Sequence, residues 1–118
     1  MSRRLIVLLA AVALAALAVA PAQGAKKKPR SKTVGVIDYA FTPAKMTVRP
    51  GTKIVWKWSK ANSAPHDVKL AKGPKGVKKF TSPVYTASIS WSRTLKVKGT
   101  YRLLCTYHAN MRQTIVVK

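Results

Sequence analysis

The sequence predicts an all-β sandwich in a single domain, and three observations carry that expectation. Apolar and aromatic residues alternate with Lys, Thr and Ser in several short runs, the period of a half-buried strand. Turn residues recur at intervals of roughly 8 to 12 residues, the spacing of strands in a sandwich. Beyond the first 24 residues no window shows helical periodicity.

The chain opens "MSRRLIVLLAAVALAALAVAPAQGA". Arg3 and Arg4 precede sixteen apolar residues, Leu5 to Ala20, and small residues follow. That order is a secretory signal peptide: the apolar run is shorter than the roughly 20 residues that span a bilayer, and Ala20 and Ala22 form an Ala-x-Ala cleavage pattern. Residues 1–24 are therefore expected to be removed on export, leaving 94 of 118 residues, enough for one modest core. Residues 25–32, "AKKKPRSK", carry five positive charges and Pro29 but no large apolar residue, and read as a disordered basic tail.

The domain is expected over residues 33–118. "TVGVIDYAF" is rich in β-branched and aromatic residues, and "KMTVRPGTKIVWKW" gives two apolar runs divided by the Pro50-Gly51 turn. In the second run Ile54, Trp56 and Trp58 alternate with Lys53, Lys57 and Ser59. "HDVKL" makes a short strand, and "AKGPKGVKK" is a loop because its Gly and Pro residues break any regular interior. "SISWSRTLKV" alternates again, with Ile89, Trp91, Leu95 and Val97 as inward positions. After Lys98-Gly99, "TYRLLC" places Tyr101, Leu103 and Cys105 on one face and Arg102 and Leu104 on the other, and "QTIVVK" is a terminal strand. Met46 and the three tryptophans read as packing residues.

Charge narrows the classes of function. The chain has 23 Lys and Arg against two acids, Asp38 and Asp67, for a net charge of +21. A surface of that sign selects anionic partners. Two acids and no candidate triad leave nothing for hydrolytic chemistry. Nucleic-acid binding is not expected, since the lysines are spread over every segment and no nucleic-acid motif is present.

The chemistry is concentrated in "LLCTYHANMRQ", residues 103–113, which holds the single cysteine, one of two histidines and one of three methionines. An exported chain with one cysteine forms no internal disulfide, so Cys105 is either protected or used. At the chain's own frequencies, finding His at +3 and Met at +6 from Cys105 by chance has a probability on the order of 4 in 10,000. A thioether is no acid or base, but thiolate and thioether are soft ligands that select copper. The ligand set of electron-transfer copper sites is two His, one Cys and a distant axial Met, and the second histidine is available as His66 in "NSAPHDV". Ligands taken from a tight C-terminal loop and from a remote strand would hold the metal rigidly between two parts of a sandwich.

"CTYHANM" resembles the ligand loop of the cupredoxins, the small blue copper proteins. Its Cys-x-x-His-x-x-Met spacing is that of the amicyanin-like members rather than of plastocyanin, whose second gap is longer. The resemblance extends over residues 33–118: "DYAFTPAKMTVRPGTKIVWKWS" is similar to the opening strands, "APHDV" to the segment around the first ligand, and "VKGTYRLLC" to the strand that delivers the cysteine. It implies a Greek-key β-sandwich with one copper ion, His66, Cys105 and His108 as equatorial ligands and Met111 as the axial one. Ala64, Pro65, Tyr107 and Ala109 would form an apolar collar around the ligand edge, where redox partners of the family dock. Three positions depart from the pattern. Asp67 stands where the family often has Asn, and without an amide donor the tie between the ligand loops is expected to be reversed or absent. Tyr107 replaces a proline before the loop histidine, and Gln113 falls where a glycine often follows the methionine, which predicts a different local turn.

The expected function is exported one-electron transfer through one Cu(I)/Cu(II) site, by a monomer with no small-molecule substrate. No enzyme is expected, because oxygen or nitrogen-oxide chemistry needs further copper centres and no histidine remains to build one. The partner is expected to be an acidic redox protein or an anionic cell-surface component, met faster because of the positive charge. The alternatives are a copper storage or delivery protein outside the cytoplasm, or a basic module for an anionic surface.

Overall fold

The computed structural model describes residues 30–118, and the expected signal peptide 1–24 and tail residues 25–29 lie outside the described residues. The strands run, in chain order, β1 Ser31–Ile37, β2 Ala40–Thr42, β3 Lys45–Val48, β4 Thr52–Trp58, β5 Lys69–Lys72, β6 Ser90–Leu95, β7 Gly99–Cys105 and β8 His108–Val117, with no helix among the described residues. They form two four-stranded sheets, ordered β2-β1-β4-β6 and β3-β8-β7-β5. β1 runs parallel to β4 and β3 parallel to β8, and the remaining neighbours are antiparallel. The chain passes between the sheets from β2 to β3, β3 to β4, β4 to β5, β5 to β6 and β6 to β7, the crossing pattern of a Greek-key sandwich.

Alternation sets which face of each strand is buried. In β4, Thr52, Ile54, Trp56 and Trp58 are buried while Lys53 and Lys57 are exposed. In β7, Tyr101, Leu103 and Cys105 point inward and Thr100 and Arg102 outward. β8 contributes Met111, Gln113, Ile115 and Val117 from the facing pattern. Each fully buried Leu, Ile or Val side chain stabilises the fold by about 1.5–3 kcal/mol relative to leaving it in water. Trp56 packs on Trp91 with ring centroids 5.7 Å apart, and the Arg93 guanidinium lies over Trp91 at 4.6 Å, a cation–π contact that closes the β6 edge. Met46 packs against this core, as expected.

Several local expectations are corrected. β1 begins at Ser31, two residues inside the stretch expected to be disordered: Ser31 and Lys32 pair with Lys53 and Ile54, and the Lys53 N–H donates to the Arg30 carbonyl at 2.8 Å. Backbone groups make that ladder, so the polar side chains do not prevent it. Of the inward positions expected in "SISWSRTLKV", Leu95 is buried and Trp91 half-buried, but Ile89 and Val97 are 38% and 42% exposed. β6 is an edge strand of only six residues, and both lie just outside it. The "HDVKL" segment yields a strand only from Lys69, and His66 is held instead by an isolated bridge to Tyr85. Gln113 makes no altered turn. It lies inside β8, 2% exposed, where its Oε1 accepts from the Trp56 indole N–H at 2.9 Å and its Nε2 donates to the Pro43 carbonyl at 2.8 Å. A polar side chain in this core is thereby satisfied on both ends and links the two sheets.

Tyr101 joins the same core to the turn before β7, its hydroxyl donating to the Val97 carbonyl at 2.7 Å. Burial raises its pKa above the ordinary 10.0. The folded chain therefore holds this proton more tightly than the unfolded chain. The resulting stability is complete below pH 10 and is lost as pH rises through the higher folded value. In denaturant titrations, Tyr101→Phe should cost about 1 kcal/mol at neutral pH and should flatten the loss of stability above pH 10. An identical alkaline slope in the variant would show that other groups carry it.

Candidate metal centre

The site is assembled at the end of the sandwich where β4 and β7 finish. β7 delivers Cys105, Thr106 and Tyr107 form a two-residue turn, and β8 starts at His108, which pairs with Cys105. The expected loop is therefore a tight hairpin: His108 and Met111 both belong to a strand, and a register shift between Leu104 and Cys105 frees the end of the ladder. His66 arrives from the segment between β4 and β5. Its backbone exchanges two hydrogen bonds with Tyr85, at 2.9 and 3.1 Å, and its carbonyl also accepts from the Trp58 indole N–H at 3.1 Å.

These anchors bring three of the four expected residues together. His66 Nδ1 lies 3.2 Å from His108 Nδ1, and Cys105 Sγ lies 3.5 Å from His108 Nδ1. One donor atom from each of the three falls within 4.8 Å of the others. His66 and Cys105 are buried and His108 is half-buried, so the pocket is sealed on one side and reaches the surface through a single imidazole. Met111 is fully buried three residues beyond His108.

The donor set fits a copper ion. Two like ring nitrogens facing each other at 3.2 Å bring their lone pairs together, an arrangement that needs a proton or a cation between them. Imidazole and thiolate are the ligands copper prefers.

Both acids of the chain lie beside this centre. Asp67 accepts from the Thr106 N–H at 2.7 Å and from the Thr106 hydroxyl at 2.6 Å. The tie between the His66 and Cys105 segments is therefore present, with Thr106 supplying both donors and the missing amide not needed. Asp38 comes from the β1–β2 turn, which sequence reading did not assign to the site. Its Oδ1 lies 2.9 Å from His66 Nε2, and its two oxygens accept from the N–H groups of Ser63 and Ala64 and from the Ser63 hydroxyl. The Ser63 N–H above all, with His66 and Ala64, pulls its pKa down from 3.8 to about 2, so it is ionised at neutral pH. Tyr39 was missed as well: its exposed ring meets His108 edge-on with centroids 4.9 Å apart and His66 at 6.2 Å. The available signal was scarcity, since a carboxylate in so basic a chain is an unusual residue. Of the expected collar, Pro65, Tyr107 and Ala109 are exposed and Ala64 is half-buried around the ligand edge.

A small β-sandwich that converges two imidazoles and one thiol at a half-sealed end has the architecture of a mononuclear copper protein. The family comparison agrees: the chain belongs to the plastocyanin/azurin family of copper-binding proteins, whose model matches residues 31–118. Amicyanin-alpha of Methylorubrum extorquens is 27% identical over 107 residues, covering 90% of this chain and 88% of that protein. Amicyanin of Paracoccus versutus is 26% identical over 85 residues, covering 72% of this chain and 63% of that one. Among solved structures, an amicyanin variant in its reduced state superposes with a TM-score of 0.65 at 26% identity, over 75% of this chain and 82% of the other. A copper-containing nitrite reductase from Thermus scotoductus shares the fold with a TM-score of 0.67 at 20% identity, but the match spans only 23% of that longer chain.

Proposed function

We propose that this protein is an exported, non-enzymatic one-electron carrier whose single copper ion would be held by His66, Cys105, His108 and Met111. The observation that carries this reading is the convergence of the His66 and His108 Nδ1 atoms with the Cys105 sulfur at 3.2 and 3.5 Å. Copper bound there would supply a one-electron couple. The protein's part is to keep the ligands still. His66 is fixed by Tyr85 and Trp58, Cys105 and His108 by the ends of a paired hairpin, and the two segments by the Asp67–Thr106 tie. Ligands so restrained rearrange little between oxidation states, which favours rapid transfer.

The inventory of residues supports a carrier over a catalyst. Both histidines and the only cysteine of the chain are committed to one site, so no imidazole remains for a second metal centre. His108 gives the buried centre an edge at the surface, flanked by the exposed rings of Tyr39 and Tyr107, where a redox protein could approach. The partner is acidic on this reading. Residues 30–118 hold eighteen Lys and Arg, while both carboxylates are engaged beside the site, so the outer surface is overwhelmingly positive. Steering of that kind raises association rates roughly 10-fold or more and fades with added salt.

The deciding experiment is addition of Cu(II) to the purified metal-free protein, with the visible spectrum as readout. One equivalent should produce the intense thiolate-to-copper charge-transfer band, and reductant should bleach it reversibly. A protein that binds copper without that band would rule out the blue-copper carrier.

A further inference from the structure

The side chain of His66 has a dedicated partner, Asp38, contributed by a part of the chain that supplies no ligand. The two are 28 residues apart, and only folding of the β1–β2 turn against the Ser63–His66 segment brings them together. In a chain with 23 basic side chains, this carboxylate pairs with none of them among the described residues. Among those residues its one ion-pair partner is His66.

We infer that Asp38 is the positioning residue for His66: its carboxylate captures the Nε2–H and thereby turns a bare Nδ1 toward His108 and Cys105. The chemistry leaves little choice of tautomer. An ionised carboxylate only accepts, so the ring nitrogen 2.9 Å from Oδ1 must be the donor, and in a neutral imidazole the other nitrogen then carries the lone pair. That other nitrogen, Nδ1, is the one 3.2 Å from His108 Nδ1. Residues that bond the far nitrogen of a ligating histidine fix its tautomer and ring orientation and raise its basicity.

The carboxylate is itself held in place. Oδ2 accepts from the Ser63 N–H at 3.0 Å and the Ser63 hydroxyl at 3.2 Å, and Oδ1 accepts from the Ala64 N–H at 3.1 Å. The approach to His66 is thus fastened to the β1–β2 turn, while Tyr85 and Trp58 hold its backbone from the other side. The next residue, Tyr39, adopts a φ of 69°, in the left-handed region where a bulky aromatic is strained. That conformation puts the Tyr39 ring edge against both imidazoles while Asp38 reaches beneath one of them. The strain is therefore spent at the site, where such outliers concentrate.

The inference concerns the site on which the proposed carrier function rests, but its principal readout needs no copper. In metal-free protein, at a pH where imidazoles are neutral, nitrogen NMR should find His66 wholly as the Nε2–H tautomer. Asp38→Ala should give a mixture of tautomers and bind Zn(II), used as a redox-silent probe, roughly 10–100-fold more weakly in chelator competition. Asp38→Asn keeps one oxygen acceptor, enough for the bonds from His66 and Ala64 to Oδ1 but not for those from Ser63 to Oδ2, so it should lose less affinity than Asp38→Ala. It also keeps the test decisive if the alanine variant unfolds. Ser63→Ala, which removes one fastening bond but not the carboxylate, should leave the tautomer unchanged. An Asp38→Ala protein with an unaltered His66 tautomer and unaltered Zn(II) affinity, or an Asp38→Asn protein with unaltered Zn(II) affinity where the alanine variant unfolds, would overturn the assignment and leave Asp38 a loop fastener only. Absence of the copper charge-transfer band in wild type would instead remove the carrier function and leave the Asp38 result standing.

Discussion

Cys105→Ser should abolish the visible charge-transfer band of the copper-loaded protein while the sandwich still folds. The band requires a thiolate sulfur bound to copper, and Cys105 is the one cysteine of the chain and is grouped with His66 and His108, its Sγ 3.5 Å from His108 Nδ1. A serine hydroxyl is a harder and much less acidic donor, poorly matched to Cu(I). The loss of affinity should exceed the roughly 10–100-fold that removal of an outer-shell partner causes. Cys105 is also 3% exposed at the end of β7, so the new hydroxyl must find a partner there or cost about 1–3 kcal/mol of stability. The check is paired: copper titration read by absorbance, and denaturant unfolding of the metal-free protein. An unchanged band in the variant would place the chromophore elsewhere and break the proposed ligand set.

The proposed ligands were legible in the sequence because soft, scarce side chains in close register have few uses besides holding a metal. Cys105, His108 and Met111 announce themselves by spacing, and His66 is the only histidine left to complete the set. The sandwich was legible for a different reason: Ile54, Trp56 and Trp58 in β4, and Tyr101, Leu103 and Cys105 in β7, alternate with residues that, Val55 and Leu104 apart, are charged or hydroxylated. Such a period survives any choice of partner strand. Features that depend on the partner did not survive. Ser31 and Lys32 carry no strand signal of their own, and they pair because β4 presents a free backbone edge beside them. Val97 has the right residue type and phase, but β6 ends at Leu95 and leaves it at the surface.

Polar residues were the hardest to place, since the value of a buried polar group lies wholly in its partner. Gln113 in isolation looked like a disturbance of the turn after Met111. Beside Trp56, 57 residues away in sequence, it is a cross-link within the core. Asp38 and Tyr39 read as part of the β-rich run "TVGVIDYAF", and come to lie beside the proposed metal site only because the following strand folds back and turns them over the histidines. In this chain the two acids, one to each ligand segment, show the site's design more clearly than the many lysines do.

Asp67→Ala should loosen the site and weaken metal binding together. Asp67 follows His66 directly, and Thr106 follows Cys105, so the pair of hydrogen bonds between them is the shortest polar connection between the two ligand segments. Both bonds end on carboxylate oxygens, which makes them charge-assisted and stronger than neutral ones. Their removal should cost about 2–4 kcal/mol in denaturant unfolding of the metal-free protein. Metal affinity should fall roughly 10–100-fold, as expected when ligands are no longer held in register. Asp67→Asn separates charge from geometry. Its amide oxygen can accept from the Thr106 N–H, and its amide nitrogen can donate to the Thr106 hydroxyl, so the tie persists with one bond reversed. That variant should lie within about 1 kcal/mol of wild type, the net worth of a single hydrogen bond. If Asp67→Asn proved as damaging as Asp67→Ala, the negative charge itself would be the requirement, and Asp67 would act on the metal centre through its field. If neither substitution altered metal affinity, the Tyr85, Trp58 and Asp38 contacts would be sufficient to hold His66 without the bridge from Thr106.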